Sequence, residues 1–217
     1  MNHFWAFFQK DVLLELRNKY ALLGIFIYVI SSVFICYLSF GFIAEEKVKV
    51  ALFWLIVLFA IINAVIKSFS SDLNQLKLYY HTLTKPVNIL FAKILFNALL
   101  ALAIGIINLL AFYFLFENFQ VQLSLFMATF FLGTIALSSA FTVVSSIASQ
   151  ATNGAALTAI LGFPVIAPII ILIVQLSNES INMHSIADEW EMLCGLTLMI
   201  VVTKALGYLL FPYLWRD

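Results

Sequence analysis

The stretch Val48–Ile66, VKVALFWLIVLFAIINAVI, decides the fold of this chain. Its only charged side chain is Lys49. A run of about 20 mainly apolar residues is long enough to cross the hydrocarbon core of a bilayer as a helix. The whole 217-residue chain has the same character, with 64% hydrophobic and 10% charged residues and a mean hydropathy of +1.08. Soluble domains are roughly 45–50% apolar and 25% charged, so the solvent of most of this chain is lipid.

Five further runs of this kind predict an all-α membrane protein with six spanning helices. Before the first span, an apolar stripe at helical spacing predicts an interfacial helix over residues 1–19. Little sequence remains outside these segments, so residues 1–217 form a single transmembrane domain. The predicted spans cover residues 20–44, 48–66, 94–116, 121–147, 155–176 and 192–214. The stripe of the interfacial helix consists of Trp5, Phe8, Val12 and Leu16.

The positive charges indicate the orientation in the membrane. Cytoplasmic loops carry an excess of lysine and arginine, and here eight of these residues fall on one side of the predicted spans and two on the other. This bias predicts a multi-pass protein of the bacterial inner (cytoplasmic) membrane, with both termini and residues 71–86 on the cytoplasmic side. The net charge of zero therefore hides an uneven distribution of charge between the two sides of the membrane. It gives no indication of nucleic-acid binding. The eight are Lys10, Arg17, Lys19, Lys67, Lys77, Lys85, Lys93 and Arg216; the two are Lys47 and Lys49.

One polar segment interrupts this hydrophobic chain, residues 71–86 with the sequence SDLNQLKLYYHTLTKP. Its leucines and Tyr80 recur at spacings of three and four, which places them on one face of a helix, and Pro86 suits the first turn of the next helix. Leu78 breaks the pattern by lying on the polar face, as apolar docking points for a partner protein often do. The alternative is a connector that rests on the lipid headgroups. The candidate docking residues are Asp72, Leu73, Leu76, Lys77, Leu78, Tyr79, Tyr80, His81 and Lys85.

The fourth and fifth predicted spans carry two further patterns. Small and hydroxyl side chains recur four residues apart in the fourth span, which allows close approach of helices. They mark either packing within the subunit or a subunit interface or substrate-facing groove. In the fifth span, Pro164 and Pro168 each remove a backbone donor, which predicts a kink that could serve as a gate. The small residues concerned are Ala136, Ser138, Ala140, Thr142 and Ser146.

Polar residues inside the spans raise further expectations. Lys204 is the single charge well within a span, so it either extends to the cytoplasmic interface, packs against another helix or contacts an anionic substrate. Three asparagines are expected to form hydrogen bonds between helices. The two cysteines are expected to be buried small hydrophobes, although a disulfide between them stays open. The asparagines are Asn63, Asn97 and Asn108, and the cysteines are Cys36 and Cys194.

No enzyme signature is visible. The chain has no G-x-x-x-x-G-K-[ST] loop for ATP, no histidine or cysteine pattern at metal-ligand spacing, and no nucleophile–base constellation. Met183 and His184 in the last outer loop are the one pairing of haem-ligand types, and plain surface exposure of His184 is the alternative. The sequence therefore predicts no catalytic residue and no metal site.

Three stretches resemble the haem exporter protein B (CcmB) family, the permease subunit of an ABC transporter in cytochrome c maturation. Residues 9–22, QKDVLLELRNKYAL, are similar to the family's charged entry into the first span. Residues 69–99, FSSDLNQLKLYYHTLTKPVNILFAKILFNAL, are similar to its cytoplasmic segment. Residues 132–172 share its Leu-Gly-Thr start of the fourth span and its proline-bearing fifth span. The segment after Asp72 departs from the family because it is shorter and lacks glycine.

The resemblance implies an ABC-2-like permease that pairs with a second copy of itself and with a separate cytoplasmic ATPase, which supplies ATP hydrolysis. Residues 71–86 would then be the coupling helix, and other cytochrome c maturation membrane proteins would be partners. Haem is a candidate substrate, with Lys204 and His184 as candidate contacts, and no cofactor is bound directly. The resemblance leaves open whether haem crosses the membrane or ATP releases a haem-loaded chaperone. Other functions left open are an ABC-2-type exporter of lipid or drug and a non-transporting assembly scaffold.

Overall fold

The computed structural model describes residues 2–40, 45–70, 86–116, 121–149 and 154–214 of the chain. Within these ranges the chain forms helices and no strand, as the sequence predicts. The seven helices in these ranges are α1 (Asn2–Arg17), α2 (Lys19–Phe40), α3 (Glu46–Ser70), α4 (Pro86–Leu115), α5 (Leu123–Ala148), α6 (Gly154–Ile181) and α7 (Trp190–Leu214).

Helices α2 to α7 are the six spans that the hydropathy predicts, since each is long and apolar enough to cross a membrane. The largest difference in their bounds concerns α4, which begins at Pro86 and not near residue 94. Proline is favoured at the first position of a helix because its missing N–H would have no partner there. As a result, Lys93 lies inside a helix and is buried, which corrects its assignment to a loop.

Helix α5 is the centre of the bundle and packs against α3, α4, α6 and α7. Its small side chains allow these neighbours to approach closely. Gly133 illustrates the approach, because a Cβ atom there would lie 3.0 Å from side-chain atoms of both Trp54 and Ile173. Three helices, α3, α5 and α6, therefore meet at Gly133.

An aromatic cluster fills the interior between α3, α4 and α5. The ring of Phe53 lies 5.4–6.2 Å, centroid to centroid, from the rings of Phe112, Phe126 and Phe130. These four side chains are fully buried. Since lipid tails are as apolar as the side chains, such dense packing, rather than exclusion of water, is what favours association of the helices.

Helix α2 lies at the edge of the bundle, where it packs against α1, α3 and α4. Many of its large apolar side chains are exposed, including Leu23, Ile27 and Leu38, as expected where lipid is the neighbour. Neither cysteine is in a disulfide, Cys36 being half-buried and Cys194 exposed. The expectation that both are buried is therefore wrong, because each lies on a helix face that the bundle does not cover completely.

Candidate functional site: the ends of α3 and α4

The segment with the predicted docking residues, Asp72 to Lys85, lies outside the described residues. The structure describes its two flanks, which are the end of α3 at Ser70 and the start of α4 at Pro86. The candidate site is therefore built from the side chains at these two helix ends and from α1, which packs against α4.

A buried ionic cluster joins the two helix ends, and we call it the Lys93 cluster; it consists of Asp11, Ser68, Phe69 and Lys93. The ammonium of Lys93 donates to the backbone oxygen of Ser68 at 2.8 Å and to its hydroxyl at 3.2 Å. A carboxylate oxygen of Asp11 lies 3.8 Å from the same nitrogen, and the ring of Phe69 lies 5.0 Å from it. Each of the four side chains is more than nine-tenths buried. The cluster thus ties α1, α3 and α4 together.

Two ion pairs at α1 accompany this cluster. Lys67 of α3 donates to a carboxylate oxygen of Glu15 at 2.8 Å. Lys10 lies 3.2 Å from Asp11. In both pairs the lysine side chain is more exposed to solvent than that of Lys93. Each pair therefore contributes little to stability, as is usual for ion pairs in reach of water.

Helix α1 turns two carboxylates towards the protein and several large apolar side chains away from it. Asp11 is buried and Glu15 is half-buried, whereas Trp5, Leu13 and Leu16 are exposed. This is the reverse of an amphipathic helix on a soluble protein, and it is the arrangement expected where lipid covers the outer face. The interfacial location of residues 1–19 stays a prediction, since Phe8 and Val12 of its stripe are half-buried; the buried charges of α1 belong to the site.

The small residues predicted in the fourth span are all fully buried within this chain, on α5. Thr142 accepts a hydrogen bond from the amide nitrogen of Asn97 at 3.0 Å and donates to the backbone oxygen of Ser138 at 2.7 Å. Ser146 donates to the backbone oxygen of Val143 at 2.6 Å. The neighbours of this stripe, which also includes Ala136 and Ala140, are therefore helices of the same chain.

The three asparagines predicted between helices behave differently. Asn97 bonds to Thr142, and Asn108 donates to the backbone oxygen of Phe53 at 3.3 Å. Asn63 instead lies on the exposed face of α3, so it is not held between two helices of this chain. Spacing could not separate these cases, because all three lie within apolar runs.

The remaining predicted site residues in the spans lie apart from the Lys93 cluster. Pro164 and Pro168 lie inside α6, which runs without interruption from Gly154 to Ile181. Lys204 is half-buried on α7, ten residues before its last residue Leu214. Ten helical residues span about 15 Å, and α7 continues past Pro212, so the end of the helix is farther from Lys204 than the length of a lysine side chain.

The loop between α6 and α7 holds a second group of charges around His184. Its Nδ1 atom lies 2.8 Å from a carboxylate oxygen of Glu189 and 3.4 Å from one of Glu179. The hydrogen bond to Glu189 is the main cause that raises the pKa of His184, and the two nearby carboxylates add to it. Below the ordinary pKa of 6.5 the imidazolium therefore bridges the end of α6 and the start of α7, and this contribution is lost as the pH rises through the raised pKa.

The same three residues also form a group that spacing did not reveal. One ligand-type atom of each of Glu179, His184 and Glu189 lies within 4.8 Å of the others, so the group could hold a cation. The expectation of no metal pattern considered only histidine and cysteine spacing. The group forms only because the loop folds back, with Met183 in the left-handed region at φ 62° and the backbone N–H of His184 bonded to the oxygen of Glu179.

A family model with the description "CcmB protein" matches residues 2–208. That range contains α1, the Lys93 cluster, all of residues 71–85 and the outer loop around His184. No curated protein matches the chain.

Proposed function

The chain belongs to the CcmB family, and from this membership we propose that it is driven by a separate cytoplasmic ATPase that docks on residues 71–86. The family is the membrane subunit of the haem-export ABC system of cytochrome c maturation. The chain is accordingly a multi-pass membrane permease subunit and not itself an enzyme. The docking partner and the docking residues are the parts that we propose.

The observation that supports the proposal is that the family match includes the contacts that hold the end of α3 and the start of α4 together. The match extends over residues 2–208, and within it the Lys93 cluster fixes the end of α3 to α4 and α1. When another protein moves residues 71–86, the adjoining ends of α3 and α4 must stay folded for the spans to move as well. Without such contacts the helix ends would fray instead. The excess of lysine and arginine on this side supports a cytoplasmic location.

The proposed assembly contains a second copy of this chain and other cytochrome c maturation membrane proteins, as the ABC-2-like layout implies. Haem would be handled at the outer face, where His184 is a candidate contact. Two routes fit this assembly: passage of haem across the membrane and ATP-driven release of a haem-loaded chaperone. Reconstituted complexes with haem added only on the cytoplasmic side separate the two routes, because only the first delivers haem to the outer side.

The docking surface is tested by the double substitution Leu78→Asp, Tyr79→Asp. The purified permease should then lose its ATPase partner while the variant still accumulates in the membrane, since two buried carboxylates at a docking point would lack partners. A matched control is Ile186→Asp, Ala187→Asp, which places two carboxylates in the exposed outer loop. Unchanged association in the first variant would contradict the docking role.

Two alternatives give different results in the same strains. Normal levels of cytochrome c in a strain without this protein would favour an exporter of lipid or drug. Normal cytochrome c with an ATPase subunit that cannot hydrolyse ATP would favour a scaffold that does not transport.

A further inference from the structure

Lys93 is a buried cation in helix α4, outside the segment of residues 71–85. It lies two turns into α4 and is 5% exposed. Burial of an ammonium costs several kcal/mol even after the surroundings relax, unless good partners compensate for it. A neutral side chain would fill the same position without that cost, so the contacts of Lys93 indicate what the charge does there.

The strongest contact is to the end of α3. Ser68 is the third residue from the end of this helix, so its backbone oxygen is one of the last four, which have no partner within the helix. The partial negative charge of a helix C-terminus also favours a cation at this point. The bond of 2.8 Å from Lys93 therefore caps α3 with a side chain from α4.

The second contact brings in α1. Asp11 supplies the anion 3.8 Å from the ammonium, and it is itself 7% exposed. Removal of Lys93 would take away one of the charges that compensate the buried carboxylate of Asp11, which also lies 3.2 Å from Lys10. The positions of α1, α3 and α4 are thus coupled through one nitrogen atom.

We propose that Lys93 is a positioning residue that makes the end of α3, the start of α4 and α1 move as one unit when a partner acts on the segment between α3 and α4. This rests on the proposed function, since it assumes that an ATPase moves residues 71–86. The role of Lys93 is to transmit that movement to the spans. It is not a contact with ATP, the ATPase or the substrate.

The ion pair of Lys67 with Glu15 provides the internal comparison. It also joins α3 to α1, at 2.8 Å, but its side chains are more exposed and it does not include α4. If transmission requires α3 and α4 to be joined, Lys67→Met should be tolerated and Lys93→Met should not. If function depended only on the number of positive charges at this end, both variants would be impaired alike.

The test measures association and coupling separately in the complex of full-length permease with its ATPase. Lys93→Met should copurify the ATPase as the unmodified permease does and should hydrolyse ATP, but the holo-cytochrome c formed per ATP hydrolysed should fall by about tenfold or more, as for loss of a hydrogen bond to a charged group. Lys93→Arg, which keeps the charge and the donors, should restore most of this ratio. Lys67→Met should leave it unchanged.

The outcomes separate this inference from the proposed function. If the unmodified permease does not bind an ATPase, the proposed function fails. If it binds one and Lys93→Met keeps the normal ratio, only the inference fails. Should Lys93→Met not accumulate, the double variant Asp11→Leu, Lys93→Met removes the buried carboxylate together with its partner and decides the question: a normal ratio overturns the inference and a low one supports it. Failure of both variants to accumulate would make Lys93 a residue of folding and would also overturn it.

Discussion

The hydrogen bond between Trp54 and Ser177 allows a prediction of how much one contact between α3 and α6 contributes to the free energy of unfolding. The indole nitrogen of Trp54 on α3 donates to the hydroxyl of Ser177 on α6 at 2.8 Å. Trp54 is 4% exposed and Ser177 is fully buried, so water cannot replace either partner. Ser177→Ala should therefore leave a buried N–H group without an acceptor.

The expected cost follows from two ranges. A buried donor without a partner costs about 1–3 kcal/mol, whereas hydrogen bonds between membrane helices average about 0.6 and reach about 1.7 kcal/mol. We expect Ser177→Ala to lower the free energy of unfolding by about 1–2 kcal/mol. Trp54→Phe should cost more, because the smaller ring also leaves a cavity beside Gly133, against which the far edge of the indole packs.

A double-mutant cycle isolates the hydrogen bond from these other losses. The free energy of unfolding in mixed micelles would be measured for the unmodified protein, Ser177→Ala, Trp54→Phe and the double variant, with a coupling energy of about 1 kcal/mol expected. Thr197→Val serves as the control, because the hydroxyl of Thr197 is exposed and bonds only within its own helix, to the oxygen of Cys194. A coupling energy below about 0.3 kcal/mol, the usual limit of additivity, would refute the reasoning.

Four further predictions concern other parts of the chain. Gly133→Leu should destabilise the protein by about 1–3 kcal/mol through overpacking, whereas Gly24→Leu should be tolerated, since nothing lies within 4 Å of a Cβ atom at Gly24. With a chelator present, the resistance of the outer loop to proteolysis should be greatest below pH 6.5 and decrease as the pH rises, because the pKa of His184 is raised; His184→Gln should remove this dependence, and a flat profile in the unmodified protein would contradict it. Lys204→Met should leave abundance and holo-cytochrome c unchanged, because a half-buried side chain in a helix-packing role can be replaced by an apolar one of similar length; loss of holo-cytochrome c at normal abundance would instead indicate a substrate contact. Met183→Cys should react with a membrane-impermeant maleimide from the periplasmic side, and reaction only from the cytoplasmic side would contradict the predicted orientation.

The spans could be predicted from the sequence because a bilayer imposes one strong requirement, which is a long apolar helix. That requirement gives the number of helices well and their ends poorly. Helix α4 shows why: a hydropathy criterion places the start after Lys93, since a charged side chain is costly inside the membrane. Pro86 carried the better signal for the helix start, and the charge is accommodated because other helices supply partners for it.

The candidate site could be predicted only in part, because its contacts join distant parts of the chain. Asp11 and Lys93 belong to different helices and follow no common spacing, so only the fold shows that they are paired. The same holds for Glu179 and Glu189 around His184, which a loop of the right shape brings together. Composition predicts that such charges need partners in a membrane protein, but it does not identify the partners.

The Lys93 cluster and the charges around His184 differ in how far they are buried, and this difference fits the proposed function. At the end with the Lys93 cluster the ammonium is 5% exposed and its carboxylate partner is 7% exposed. At the other end His184 and its partners are in reach of water. Charges that are buried and hydrogen-bonded are costly to separate, whereas exposed ion pairs break and re-form at little cost. The contrast concerns these two groups and not whole ends of the bundle, because Lys49 is buried and paired with Glu46 at 2.7 Å at the end of α3 opposite Ser68. Under the proposed function, the Lys93 cluster suits the reception of force, and the exposed charges around His184 suit movement between α6 and α7.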